Sequence, residues 1–345
     1  MLSIIWKKLG TTVTGGAVLI TFFTIISKIL GLVRDRLLAS YFGAGSMLDS
    51  YYAAFKLPDL VFNTLVLGAL AAAFIPVFTR SWFRNKKQAF LLANTLLNYL
   101  VVFILLISLV MCIFAPKLVS IITPGFSGEV LMQTITLSRI MLLSIIFFTI
   151  SNVIGGILNS LKRFFTFSLA PVFYNLGIIV GITFFHSIWG IEGLAWGVVF
   201  GSVLHLLVQI PEVLKVGYRY SFNWKITGSV KRVFKLMIPR TIGLAASQVN
   251  QLVITGIAST LAVGSIAVFN LANNLQSLPT SIFGVSLAIA VFPAFTESLE
   301  TTDTGSKEIR LIIELYEENE KYLPILTRNG AQIEKTYKNL VQVII

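Results

Sequence analysis

Eight segments of this chain are long and apolar enough to cross a lipid bilayer, and mostly short connections join them. A helix needs about 20 mostly apolar residues to span the hydrocarbon core. Only 12% of the residues are charged, whereas soluble domains carry about 25%. The predicted spans are residues 13–42, 51–79, 89–114, 134–160, 167–187, 190–213, 234–260 and 265–296. The sequence therefore predicts an all-α polytopic membrane protein.

Positive charge is concentrated in alternate connections, those before span 1 and after spans 2, 4 and 6. These basic residues are Lys7, Lys8, Arg80, Arg84, Lys86, Lys87, Lys162, Arg163, Lys215, Arg219, Lys225, Lys231 and Arg232. Cytoplasmic connections of membrane proteins are enriched in lysine and arginine, so we expect the N-terminus on the cytoplasmic side. The net charge of +12 then reflects topology, and we expect no nucleic-acid partner.

Charged residues also lie inside the first two spans and at the junction between them, and an unpaired charge at mid-bilayer costs about 3 kcal/mol. They are Lys28, Arg34, Asp35, Arg36, Asp49, Lys56 and Asp59. A polar cavity within the helix bundle explains them better than contact with lipid, which indicates a transport pathway. Lys28 and Arg34 lie about 240° apart on a helix, so they can border one wide cavity. The planar fork of an arginine suits a phosphate or pyrophosphate.

Some of these charges have a second interpretation. Arg36 is expected in a paired cluster with Arg34 and Asp35 at the outer end of helix 1. Asp49 either caps helix 2 or faces the cavity. The sequence from Lys56 to Asp59 contains a proline and predicts a kink in helix 2, and Asp59 either caps the second half of that helix or faces the cavity.

An internal repeat relates the start of the chain to its later part. Ala39-Ser40 and Gly45-Ser46 recur 219 residues later as Ala258-Ser259 and Gly264-Ser265, and the sequence at 71–79 recurs at 288–296. We expect a six-helix lobe at 1–230 and the first two helices of a second lobe at 231–299. Repeats of this kind are typical of transporters that bind substrate between two lobes. Amides replace the charges in the second copy, at Asn270, Asn273, Asn274 and Gln276.

Residues 300–345 have a different composition, with many acidic and basic residues. They predict a soluble helical tail that does not belong to the repeat. A complete second copy would extend beyond residue 430, so we expect either an incomplete version of a longer transporter or a shortened relative with its own tail.

Several motifs resemble those of one transporter family. They are S-K-I-L-G-L-V-R-D (27–35), F-G-A-G-x3-D (42–49), A-F-K-L-P-D (54–59), P-G-F (124–126), G-x-L-N-x3-R-F (156–164) and L-P-x3-F-G-V-S-L (278–287). At these residues the chain resembles the MurJ/MviN family of lipid II flippases, within the multidrug/oligosaccharidyl-lipid/polysaccharide exporter superfamily.

The resemblance implies two lobes around a cationic cavity and outward movement of an undecaprenyl-pyrophosphate-linked peptidoglycan precursor by alternating access. By position, Arg34 matches the key helix-1 arginine of the family and Asp35 the acid beside it. Lys28 stands where many members have arginine, and Asp49 and Lys56 match directly. The candidate cavity residues are therefore Arg34, Lys28, Asp35, Asp49, Lys56, Asp59 and Asn274.

The chain also departs from the family pattern. Phe62 and Asn63 stand where many members have two arginines, and Leu67 replaces a glutamate. Asn274 aligns with the helix-8 cavity arginine. The expected cavity is therefore less cationic than is usual in the family.

We accordingly expect a lipid II flippase of the bacterial cytoplasmic membrane, with no catalytic residues, metal or cofactor, and with coupling to membrane potential, H⁺ or Na⁺. The expected partners are a lipid-linked anionic substrate, membrane lipids, and either other cell-wall synthesis proteins or a complementary subunit. Two alternatives stay open at this point. In the first, the chain is a non-transporting membrane remnant or a partner subunit. In the second, it is an exporter of another polyprenyl-linked glycan.

Overall fold

Long helices make up nearly all of residues 13–277, which are the residues that the computed structural model describes. The first helix, α1, is Val13–Phe42, with the bounds that the sequence predicts. The end of predicted span 8, the tail at 300–345, and the motifs at 278–287 and 288–296 lie outside the described residues.

The second predicted span is a series of short helices with a break beside Pro58. They are α2 (Ser46–Ala54), α3 (Lys56–Val61), a π-helical turn (Phe62–Leu67) and α4 (Gly68–Arg84). Proline has no backbone N–H, so the carbonyl of Ala54, four residues earlier, loses its helical partner. The hydroxyl of Ser138 donates to that carbonyl instead, at 3.2 Å. The predicted kink is confirmed.

The remaining helices follow the predicted spans closely. They are α5 (Lys86–Ile122), α6 (Gly128–Ser160), α7 (Phe164–Val180) with a π-helical turn (Gly181–Phe185), α8 (His186–Trp189), α9 (Glu192–Leu207), α10 (Ile210–Lys215), α11 (Gly228–Ser259) and α12 (265–277). By length and composition, four helical stretches of the described chain are able to cross a membrane, namely Lys86–Ile122, Gly128–Ser160, Phe164–Trp189 and Glu192–Lys215.

The charged helices α1 and α11 are also long enough to span a bilayer. They contain 30 and 32 residues, and a rise of about 1.5 Å per residue carries each beyond a hydrocarbon core about 30 Å thick. The main apolar core joins α4, α5 and α6 and includes Val230, Val233 and Met237 of α11. The fold class is thus an all-α membrane bundle, as predicted. The division at residue 230 stays a prediction.

Two pairs of glycines bring α7 and its π-helical turn into close contact with α9. A Cβ atom on Gly177 would lie 2.2 Å from the Cα of Gly201, and one on Gly197 would lie 2.5 Å from the Cα of Gly181. Small residues at such crossings let helix backbones approach in a membrane. Only glycine fits these positions without a shift of one backbone.

We expect Gly197→Ala to destabilise the protein by about 1–3 kcal/mol, the usual cost of overpacking. Gly243 on α11 has nothing within 4 Å of a Cβ atom. Gly243→Ala should therefore be neutral or stabilising by up to about 1 kcal/mol, because alanine favours a helix more than glycine does. Thermal unfolding in detergent measures both variants, and equal shifts in Tm would contradict the close contact.

A polar strap fastens the connection between α10 and α11 to one face of α5. The Tyr218 hydroxyl donates to Asn94 Oδ1 at 2.5 Å, and Asn94 Nδ2 donates to the Ser221 hydroxyl at 2.8 Å. Asn98 Nδ2 donates to the carbonyl of Asn223 at 2.9 Å. Burial raises the pKa of the Tyr218 hydroxyl, which keeps it protonated as a donor.

We expect Asn94→Leu to loosen this strap, since it leaves the Tyr218 hydroxyl without its acceptor. A buried polar group that loses its partner costs about 1–3 kcal/mol. Hydrogen exchange should then accelerate at residues 218–225. Leu91→Ala, an exposed position on the same helix, should leave exchange unchanged. Exchange that is equally slow in wild type and Asn94→Leu would show that the strap does not hold this connection.

Candidate functional site

A cavity of about 260 Å³ lies where α1, α7 and α12 meet, and we name it the inter-repeat cavity because α12 belongs to the second predicted repeat. Its lining residues are Ser27, Lys28, Gly31, Leu32, Arg34, Asp35, Pro171, Tyr174, Asn175, Asn274 and Ser277. Small-molecule sites usually measure about 300–1,000 Å³. This cavity is therefore large enough for a small anionic group but not for a large head group.

α1 presents its charges to this cavity from one side. At about 100° per residue, its lining residues occupy an arc of roughly 160°. Lys28 and Arg34, about 240° apart in one direction, are thus only about 120° apart in the other. Lys28 Nζ reaches across the cavity and donates to the Ser277 hydroxyl at 3.2 Å. Both cations can therefore contact the same ligand.

The guanidinium of Arg34 is held in place by two neighbours. Its Nε and Nη2 donate to Asp35 Oδ1 at 3.0 and 2.8 Å, and its Nη1 donates to Asn175 Oδ1 at 3.2 Å. A guanidinium has five N–H groups, so these three bonds leave two for a ligand. The arginine is oriented in advance, which reduces the entropy lost when an anion binds.

Asp35 connects the two predicted repeats. Its side chain is buried, with 6% of the residue exposed, and its Oδ2 accepts a hydrogen bond from Asn274 Nδ2 at 3.0 Å. Lys28 and Arg34 are the cations among the lining residues, and Asp35 is the carboxylate. The lining therefore carries a net charge of about +1, which favours an anion.

Asn175 is a site residue that sequence reasoning missed. Its Nδ2 lies within hydrogen-bonding distance of the Ser27 carbonyl, the Ser27 hydroxyl and the Pro171 carbonyl, at 3.0–3.2 Å. It therefore fixes α7 against α1 while its Oδ1 accepts from Arg34. The available signal was an amide one turn after a proline inside an apolar span.

Asp49 lies away from the inter-repeat cavity and binds the start of α12. Its Oδ2 accepts from the Gly264 N–H at 2.6 Å and its Oδ1 from the Ala267 N–H at 2.7 Å. The residue is buried, with 4% exposed. It does not cap its own helix, because the N-cap of α2 is Gly45 and makes no side-chain bond. The carboxylate instead caps a helix of the other predicted repeat.

Two further contacts complete what we name the clasp, formed by Ala44, Asp49, Gly125, Ser259 and Gly264. Gly264 has φ of +93°, and a Cβ atom there would lie 2.2 Å from the Ala44 carbonyl oxygen. The Gly125 N–H donates to the Ser259 hydroxyl at 3.1 Å. The clasp joins turns at one end of the helices, and Gly264 is the repeat counterpart of Gly45.

The other predicted charges take separate positions. Lys56 is buried, with 9% of the residue exposed, and does not line the inter-repeat cavity. Asp59 faces a different cavity and does not cap α3, whose N-cap Phe55 makes no side-chain bond. Arg36 is exposed and, among the described residues, forms no ion pair. The expected three-residue cluster is thus only a pair of Arg34 and Asp35.

The structure therefore brings four of the seven candidate residues together, namely Lys28, Arg34, Asp35 and Asn274. Of the amides in the second repeat, Asn270 bonds within its own helix, to the Ile266 carbonyl at 2.7 Å. Within residues 13–277, no three histidine, cysteine, aspartate or glutamate side chains gather as a metal site requires. The geometry suits reversible binding of an anion.

Comparison with known proteins gives the family. The family model described as "Lipid II flippase MurJ" matches residues 38–315. A probable lipid II flippase MurJ of Buchnera aphidicola (Acyrthosiphon pisum strain APS) is 33% identical over 286 residues, which are 81% of this chain and 56% of the relative. The lipid II flippase MurJ of Burkholderia cenocepacia is 30% identical over 295 residues, covering 82% of this chain and 57% of the relative. The chain thus spans a little more than half the length of these relatives.

Solved structures agree with this assignment. A lipid II flippase MurJ in an inward closed conformation superposes with a TM-score of 0.70 at 28% identity, covering 82% of this chain and 59% of that one. An inward-facing multidrug resistance MATE transporter of the MOP superfamily matches with a TM-score of 0.57 at 18% identity, covering 84% and 68%, which shows a shared fold. The chain belongs to the MurJ family of lipid II flippases.

Proposed function

We propose that this protein binds the diphosphate of a polyprenyl-linked peptidoglycan precursor, lipid II, in the inter-repeat cavity and takes part in its translocation. The observation that carries the proposal is the oriented guanidinium of Arg34, with two N–H groups left for a ligand in a lining of net positive charge. A diphosphate offers pairs of oxygen acceptors, and the planar fork of an arginine can bind two of them at once. Binding and translocation need no covalent step, and flippases are not enzymes in the usual sense.

The contacts around the cavity suggest how an anion would affect the lobes. Three groups of contacts join the first repeat to the second. They are Asp35 with Asn274, Lys28 with Ser277, and the clasp. An anion that binds Lys28 and Arg34 competes with one of these groups of contacts, the hydrogen bond from Lys28 to Ser277. Ligand binding would thus favour a state with weaker contacts between repeats, as alternating access requires.

The helices and the family identify a multi-pass membrane protein, and we place it in the bacterial inner membrane with its N-terminus in the cytoplasm. The basic connections after spans 2, 4 and 6 support this orientation. A fusion reporter at residue 85, between α4 and α5, should be cytoplasmic. A periplasmic signal there would reverse the topology.

Binding measurements with matched lipids test the substrate class. The purified full chain, in detergent, is titrated with polyprenyl diphosphate, polyprenyl monophosphate, polyprenol and lipid II. We expect the diphosphate to bind about tenfold more tightly than the monophosphate, because the second phosphate adds charge-assisted bonds. The uncharged polyprenol should bind most weakly. Equal affinities for diphosphate and polyprenol would contradict the proposal.

A further inference from the structure

A second cavity, also of about 260 Å³, lies inside the first lobe, and we name it the intralobe cavity. Its lining comes from Phe55, α3, the π-helical turn that follows α3, α6, α7 and α9, and none of it from α1, α11 or α12. Pro171 and Tyr174 line both this cavity and the inter-repeat cavity. Tyr174 also interacts electrostatically with both Arg34 and Asp59. The two cavities therefore lie side by side, with Tyr174 at their boundary.

Three aromatic rings that line the intralobe cavity form a continuous row. The ring centroids of Phe62 and Phe148 are 4.9 Å apart, and those of Phe148 and Tyr174 are 5.0 Å apart. Aromatic faces carry partial negative charge, so they attract the weakly positive C–H groups on the face of a sugar ring. Ile145 and Val198 add aliphatic surface to the lining. A ligand with one apolar face can therefore pack against this row.

Polar side chains line the same space and have hydrogen-bonding capacity left. Asp59 and Asn63 lie one helical turn apart, and no hydrogen bond or ion pair joins either side chain to another described residue. Asn152 Nδ2 donates to the Phe148 carbonyl at 2.8 Å, which leaves its Oδ1 as an acceptor. The lining thus offers carboxylate and amide acceptors together with the amide donors of Asn63. A ligand with several hydroxyl groups can satisfy them.

The two cavities differ in charge. Among the lining residues of the intralobe cavity, Asp59 is the group that is charged at pH 7 when His205 is neutral, whereas the inter-repeat lining is positive. A diphosphate is therefore attracted to the inter-repeat cavity and repelled from the intralobe cavity. A neutral group with hydroxyls suits the intralobe cavity, because hydroxyls donate charge-assisted hydrogen bonds to a carboxylate. Aromatic surface with a few well-placed polar groups is the usual lining of such sites.

We propose that the intralobe cavity binds the sugar ring attached directly to the diphosphate, while the diphosphate itself occupies the inter-repeat cavity. This inference deepens the proposed function and rests on it. In a glycosylated diphosphate lipid the sugar is bonded to the terminal phosphate, so the two groups need adjoining sites, which the shared Pro171 and Tyr174 provide. A volume of about 260 Å³ lies just below the usual range of about 300–1,000 Å³ for drug-sized ligands. It therefore suits one sugar ring, and Asp59 and Asn63 determine specificity for it.

Matched lipids separate the sugar from the diphosphate. The purified full chain, in detergent, is titrated with polyprenyl diphosphate and with the same lipid carrying one N-acetylglucosamine on its terminal phosphate. We expect the wild type to bind the glycosylated lipid about tenfold more tightly, because hydrogen bonds to the carboxylate and the amide add to the diphosphate contacts. Asn63→Ala and Asp59→Asn should each reduce this preference to about threefold or less. Neither variant should weaken binding of the bare diphosphate lipid.

Asn270→Ala is the matched control, because Asn270 bonds within its own helix and lines neither cavity. It should keep the full preference for the glycosylated lipid. Each variant is measured with both lipids, so binding of the bare diphosphate lipid shows that the variant is folded. Asn63→Ala covers the case in which Asp59→Asn does not fold.

Equal affinity of the wild type for the two lipids would overturn the inference and leave the diphosphate site in place. A full preference in both Asn63→Ala and Asp59→Asn would overturn it as well. A loss confined to lipid II, which also carries a peptide, would assign the cavity to the peptide instead of the sugar. Failure of the wild type to bind the bare diphosphate lipid would contradict the proposed function, and the sugar site with it.

Discussion

Asp49→Ala should release the start of α12 from the first repeat and open the clasp. The variant removes both acceptors of the Gly264 and Ala267 N–H groups. Loss of a capping side chain costs about 0.5–2 kcal/mol, which corresponds to about a 2- to 30-fold rise in local opening. We expect the upper part of this range, because the carboxylate is buried and charged. Hydrogen exchange at residues 264–267 measures it.

Asp49→Asn provides the matched control for the clasp. Asparagine keeps one oxygen acceptor and is itself a good cap, so exchange should rise much less than in the alanine variant. The strap residues around Asn94 should exchange as in wild type in both variants. Equal exchange at residues 264–267 in wild type and Asp49→Ala would show that Asp49 does not hold the two repeats together.

Arg34→Ala should weaken binding of polyprenyl diphosphate by about tenfold to a hundredfold. Hydrogen bonds to a charged group contribute about 1.5–3 kcal/mol, and about 1.4 kcal/mol corresponds to tenfold in Kd. Arg34→Lys keeps the charge but loses the planar fork, so its affinity should fall between wild type and alanine. Titration of the purified variants with the diphosphate lipid gives the three constants.

Arg36→Ala is the control for this change, because Arg36 is the same residue type on the same helix but is exposed. It should bind the lipid as wild type does. A loss in Arg36→Ala equal to that in Arg34→Ala would indicate a general effect of positive charge. Wild-type affinity in Arg34→Ala would show that the guanidinium does not contribute to lipid binding.

Apolar length predicted the helices of this fold because a bilayer requires about 20 apolar residues in succession. Helix ends were harder to predict. α6 begins at Gly128, whereas the sequence suggested residue 134. Glu129 and Gln133 lower the hydropathy of the first turns, so an apolar pattern alone starts the helix too late. Carboxylates are favourable in the first turn of a helix. The break in span 2 was predictable, because proline removes a backbone donor.

The candidate site likewise contains some residues that the sequence could predict and others that it could not. Lys28, Arg34 and Asp35 were predictable as a group, because charges in an apolar helix require a polar environment, whereas the exposure of Arg36 on the same helix was not. The partners of Asp49 are two backbone N–H groups more than 200 residues away, which no local pattern reveals. The role of Asn175 was equally hidden, since its hydrogen bonds with Ser27 and Arg34 form only where α7 packs on α1. Contacts between distant helices decide such roles.

Translocation by the protein itself is the most direct test of the central proposal. The full chain is reconstituted into liposomes that contain fluorescent lipid II, and the fraction that crosses the membrane is measured with an impermeant quencher. We expect crossing above the rate of empty liposomes, with loss in Arg34→Ala and retention in Arg36→Ala. Crossing at the same rate in wild type, Arg34→Ala and empty liposomes would contradict a flippase function for this chain.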